Sequence, residues 1–127
     1  MLALAERDLK AVAGMVSDAD TFSDEIFGFH AQQALEKAFK AWIALLGEKY
    51  QLTHNIGTLL QQLEDLGCDV AAYWDMMEYN PVGVAYRYDS LTMDDSPLDR
   101  PKTLEQVQSI YDHVIVLIAG LDNKTID

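Results

Sequence analysis

Residues 22–46 read FSDEIFGFHAQQALEKAFKAWIALL. Ile26, Ala34, Ala38, Trp42 and Leu45 recur at helical spacing and form one apolar row, which Phe27, Leu35, Phe39, Ile43 and Leu46 widen. A helix that is apolar on more than one side needs several neighbours to cover it, so this stretch predicts a central helix in an all-α fold. Ser23 or Thr21 can cap its start, and Asp24 and Glu25 complement the positive end of its dipole. Gly47 is suited to end it, because glycine adopts the left-handed conformation that commonly follows a helix.

The segments on either side supply the neighbours. Leu2, Ala5, Leu9, Val12 and Val16 place one stripe on a first helix ending near Ser17. Thr53 or Asn55 can cap a third helix carrying Ile56, Leu59, Leu60, Leu63 and Leu66 before Gly67, with Gly57 a mild weakness in it. Residues 70–79, with Trp74, Met77 and Tyr79, read as a short helix or helical extension stopped by Asn80-Pro81. The periodicity then lapses as far as Pro101, a loop long enough to suggest a function of its own. Thr103, with Glu105 and Gln106 in the first turn, opens a last helix whose Leu104, Val107, Tyr111, Val114, Ile118 and Leu121 form a core stripe, and Gly120 and Asn123 mark its end. Ile115 and Val116 lie off that stripe and suit a dimer interface. The sum is a single domain over residues 1–127, an antiparallel up-and-down four-helix bundle with a long loop before the last helix.

Composition narrows the function. Acidic residues outnumber basic ones 21 to 9 for a net charge of −12, so the molecule as a whole repels phosphate backbones and any anion site has to be local. The single Cys68 cannot form an internal disulfide and reads as a passive thiol, and the absence of a leader pattern predicts a cytoplasmic protein. Val114 to Leu121, the most apolar run, is too short to span a bilayer, which takes about 20 residues. His30, His54 and His113 show no paired ligand spacing, and phosphate-cradling glycine motifs are absent, so neither a metal nor a cofactor is expected.

Phe29 to Ala41, with Gln32-Gln33 followed by Glu36-Lys37 and Lys40-Ala41, resembles the second helix of the HEPN family (higher eukaryotes and prokaryotes nucleotide-binding domain). Gly47 to Tyr50 and Thr53-His54-Asn55-Ile56 leading into Leu59-Leu60 are similar to the opening of that family's third helix, with Asn55 where an aspartate is usual. Tyr86-Arg87-Tyr88 resembles a further family segment. The ribonuclease members carry an arginine closely followed by a histidine, and here His113 lies 26 residues beyond Arg87 and 13 beyond Arg100. The resemblance therefore implies a dimerising helical bundle without the usual ribonuclease motif. It also implies a role in binding a nucleotide or a partner, often a minimal nucleotidyltransferase in a toxin–antitoxin-like pair. A divergent RNA-cleaving toxin and a helical interaction domain with no small ligand are the alternatives.

The candidate contacts for a nucleotide or other anion are Arg87, Tyr88, Lys37, Lys40, Gln33, His54 and His30. His30, Gln33, Lys37 and Lys40 fall on one face of the second helix, where two cations, an amide and an imidazole could hold phosphate or simply face water. Arg87 can grip phosphate with two parallel hydrogen bonds while the flanking tyrosines stack on a base, or it can bind helix-end carbonyls. His54, just before a helix, is expected to be a neutral hydrogen-bonding anchor. Glu36 sits near Gln32 and is expected to pair across the dimer or with Arg87, and otherwise to face solvent. His113 is expected opposite the core stripe of the last helix, within reach of a dimer cleft.

Overall fold

A computed structural model describes residues 1–18, 20–79 and 99–126, with side chains as far as 120. The described residues form four α-helices, α1 (Leu2–Met15), α2 (Asp24–Leu45), α3 (Ile56–Asp65) and α4 (Arg100–Ile126), with a 3₁₀ helix at Ala71–Tyr79 between α3 and α4 in chain order. There is no strand among the described residues. The segment expected to form the long loop, with Tyr86, Arg87 and Tyr88, lies outside the described residues.

α2 is the central helix because its apolar surface wraps around it. Phe27, Leu35, Phe39 and Ile43 are fully buried, and the helix packs against α1, α3, α4 and the 3₁₀ helix. Val12 of α1, Ile56, Leu59, Leu60 and Leu63 of α3, and Val107, Ile110 and Val114 of α4 complete one core. Ile26 and Leu46, at the two ends of the expected rows, stay exposed. Contacts along the helices fix their directions. Arg100 reaches the Met15 carbonyl while Tyr111 reaches Glu6, so α4 runs antiparallel to α1. Arg100 lies over Phe27 while His113 lies against Trp42, so α4 runs in the same sense as α2, as the second and fourth helices of an up-and-down bundle must.

The helix ends follow local chemistry. Ser23 Oγ accepts from the Ile26 amide at 3.3 Å and Asn55 Oδ1 from the Gly57 amide at 2.9 Å, satisfying first-turn donors. α2 and α3 both close with a left-handed glycine, Gly47 at φ 81° and Gly67 at φ 89°. The following amides of Glu48 and Cys68 bond back to the carbonyls of Ile43 and Leu63, the six-to-one closure that glycine permits. The last helix begins earlier than its sequence pattern suggests, at Arg100 instead of Thr103. Asp99 Oδ1 accepts from the Lys102 amide at 3.1 Å, and Pro101 in the first turn gives up only an amide that has no helical partner. The helix also continues through Gly120 and Asn123 to Ile126, because neither residue turns left-handed there. Gly57 has a packing role: a Cβ there would come within 2.9 Å of Met77 Cε on the 3₁₀ helix.

Candidate functional site

The polar residues of α2 form two closed clusters, not one open face. In the first, Lys37 Nζ meets Asp8 Oδ2 of α1 at 2.6 Å and His30 Nδ1 stands 3.5 Å from Asp8 Oδ1. The lysine and the imidazole on this side therefore share one carboxylate from the neighbouring helix. In the second, Lys40 has turned away from Lys37. Its ammonium lies 2.6 Å from Glu36 Oε1, with only 9% of its side chain exposed, and sits over the Tyr50 ring at 5.5 Å.

Glu36 is the hub of that second cluster. It is 3% exposed, which corrects the expectation of a solvent-facing carboxylate or one paired through a dimer or Arg87. Its partners lie within the chain: Lys40, Gln32 Nε2 at 2.7 Å, and His54 Nδ1 at 3.0 Å from each carboxylate oxygen. Gln33 joins by donating to Gln32 Oε1 at 2.9 Å. Burial by itself pushes the Glu36 carboxyl up, but the hydrogen bonds from Lys40, His54 and Gln32 outweigh it and hold the group below the ordinary carboxylate range. An ionised carboxylate only accepts, so Nδ1 of His54 donates to Glu36, and of the two neutral tautomers this bond selects the one with its lone pair on Nε2. The imidazole is otherwise open, with 74% of its side chain exposed, while Gln32 Nε2 also reaches the His54 carbonyl at 3.4 Å.

The α2–α3 turn that carries His54 is braced from both sides. Gln62 donates to the Lys49 carbonyl at 2.8 Å and accepts from the Gln51 amide at 3.3 Å, and the Asn55 amide donates to Thr53 Oγ1 at 3.0 Å. His113 is placed differently from expectation. It is half-buried within the chain, its ring 4.8 Å from Trp42 and 6.1 Å from Tyr73, so it closes an aromatic cluster at the edge of the core. Arg100 is buried, donating to the Met15 and Phe22 carbonyls and to Asp24, and lying over the Phe27 ring.

Two concave features lie apart from these clusters. An open groove of about 460 Å³ runs between α3 and the 3₁₀ helix, lined by Gln51, Asn55, Thr58, Gln61, Asp65 and Trp74 among others. A smaller one of about 230 Å³ lies on the other side of Trp74, beside Cys68, Glu64 and Asp69. Among the described residues no lysine, arginine or histidine lines either groove. The Cys68 thiol is pushed up by burial, which makes it a weaker nucleophile. Among the described residues no group of three or more His, Cys, Asp and Glu side chains could hold a metal ion, and no helix is long and apolar enough to cross a membrane.

Sequence reasoning placed Gln33, Lys37, Lys40, His30 and His54 in one candidate site. The structure joins Lys40, Gln33 and His54 through Glu36 and Gln32, and sets His30 and Lys37 on Asp8. Arg87 and Tyr88 lie outside the described residues. Gln32 and Glu36 were the functional-looking residues underweighted, although Gln32, Glu36 and Lys40 stand at successive steps of four, the spacing that puts side chains in contact on a helix.

The chain is thus a helical-bundle domain whose second helix carries an internal Gln-Glu-Lys ladder tied to the histidine before the third. A family model described as the HEPN domain matches residues 1–119, and the chain belongs to the HEPN domain family. No curated protein and no solved structure matches it.

Proposed function

We propose that this protein is a non-nucleolytic HEPN subunit that works by binding a protein partner. The homodimer and the minimal nucleotidyltransferase implied by the family are the contacts it makes. One observation carries the reading: the cations on the polar side of α2 are already neutralised by carboxylates of the same chain, Lys37 by Asp8 and Lys40 by Glu36. A phosphate arriving there has to displace an internal anion at each step, in a molecule of net charge −12. The α2 clusters are then braces for the bundle. Anion contacts are left to Arg87, Tyr88 and the exposed ring of His54. Apolar side chains suited to a protein interface are present outside the core, with Phe29 54% and Val116 67% exposed.

The divergent-ribonuclease alternative has one favourable observation, the outward Nε2 of His54. Two measurements on purified protein separate the readings. Incubation with a mixed RNA pool leaves the RNA intact on the proposed reading, and cleavage that disappears in His54→Gln overturns it. Co-expression with a small nucleotidyltransferase from a neighbouring reading frame is expected to yield a complex of defined stoichiometry by native mass spectrometry. Failure to form a complex, or the lack of any such neighbouring reading frame, counts against the partner assignment.

A further inference from the structure

We propose that His54 is a phosphoryl-acceptor site, modified at Nε2 by a donor of the phosphoramidate or acyl phosphate class. The geometry does three things a nucleophilic imidazole needs. Glu36, with Nδ1 at 3.0 Å from both carboxylate oxygens, selects among the neutral tautomers the one whose lone pair is on Nε2. Lys40 and Gln32 fix the carboxylate in turn, at 2.6 and 2.7 Å, so the ring is aimed by groups that are themselves immobile. The side chain is 74% exposed on a turn braced by Gln62, which leaves the ring accessible to an incoming donor.

That exposure suits modification better than enclosed catalysis. Small-molecule sites are concave as a rule, and His54 lines neither of the two grooves described above. A side chain standing clear of the surface suits transfer from a donor carried by another molecule. The ring product distinguishes phosphoryl from acyl transfer as well, since an N-phosphoryl imidazole persists where an acylimidazole is quickly hydrolysed.

With phosphoramidate as donor the step balances without a separate base. With the donor in its zwitterionic form, its nitrogen already protonated to NH₃⁺, the Nε2 lone pair attacks phosphorus, the N–P bond to the ring forms, the donor's own P–N bond breaks, and that electron pair leaves on neutral ammonia. The ring keeps its Nδ1 proton and gains a positive charge, which develops directly against the ionised Glu36 carboxylate. Electrostatic stabilisation aimed at the point where charge appears is what makes this imidazole more reactive than a free one. Glu36, Lys40 and Gln32 are positioning residues here, and His54 alone receives the group.

The test treats the full chain with potassium phosphoramidate and follows labelling by intact mass and ³¹P NMR, with the site read by peptide fragmentation. The expected result is one phosphoryl group, on His54 ahead of His30 and His113, absent in His54→Gln and slowed by about tenfold or more in Glu36→Gln. Equal labelling of all three histidines, or a rate at His54 unchanged by Glu36→Gln, overturns the proposal. Should Glu36→Gln not fold, ¹⁵N NMR of the wild-type imidazoles decides instead. A neutral His54 ring with its proton on Nδ1 is the result required, and a proton on Nε2 overturns it.

Discussion

Replacing Arg100 with alanine is expected to lower the unfolding free energy by about 3 to 5 kcal/mol, the cost of breaking a buried, hydrogen-bonded charge pair. The guanidinium ties three elements at once. Nη1 donates to the Met15 carbonyl at the end of α1 at 2.9 Å, Nη2 to the Phe22 carbonyl just ahead of α2, and Nε and Nη2 to Asp24 Oδ1 at 3.1 and 2.9 Å. It also lies 4.8 Å from the centre of the Phe27 ring. Arg100→Lys should recover little, because one ammonium cannot reproduce a planar fork reaching two carbonyls and a carboxylate together. Urea denaturation reads the effect. A loss below about 1 kcal/mol, the scale of an exposed ion pair, would show that the tie is dispensable.

The second large effect belongs to Glu36. Glu36→Ala leaves the Lys40 ammonium, with 9% of its side chain exposed, without its counter-charge, and should also cost about 3 to 5 kcal/mol. Replacing both partners by apolar residues of similar size, Glu36→Leu with Lys40→Met, should restore most of that loss, because no buried charge is then left alone. The acid limb of the stability curve supplies an independent check. Held below its ordinary range in the folded protein, the Glu36 carboxyl binds fewer protons there than in the unfolded chain across that interval. Its contribution is complete above the ordinary carboxylate value and is lost as pH falls through its own lower value. Wild type should therefore lose stability on acidification more steeply than the double variant, and superimposable acid limbs would contradict the assignment.

Much of the fold was legible because local rules agreed with the global one. The broad apolar surface of α2 named the central helix, and Ser23, Asn55, Gly47 and Gly67 marked ends that the structure uses. The start of α4 was misplaced because Thr103 followed by Glu105 and Gln106 imitates a helix start. Thr103 is instead buried, its hydroxyl 2.8 Å from that of Tyr79 and donating to the Asp99 carbonyl, while Asp99 does the capping. The candidate site was legible only in part. Helical geometry suggested that His30, Gln33, Lys37 and Lys40 share one face, but it cannot say which way a long flexible side chain turns, and the structure divides them between Asp8 and the pair Gln32 and Glu36. Asp8 reaches Lys37 from 29 positions away and Arg100 reaches Asp24 from 76, and no periodicity within one helix reveals a partner on another. The sequence pattern thus suggested an open cationic face where the tertiary structure brings in the carboxylates that close it.

The most direct measurement is a calorimetric titration of the wild-type protein and of Lys37→Ala with ATP. If the polar side of α2 is an internal brace, the two isotherms coincide, because Lys37 is held by Asp8 and makes no phosphate contact. ATP binding by the wild type that weakens by about tenfold or more in Lys37→Ala, the scale of a charge-assisted hydrogen bond, would contradict that reading and restore this face as an anion site.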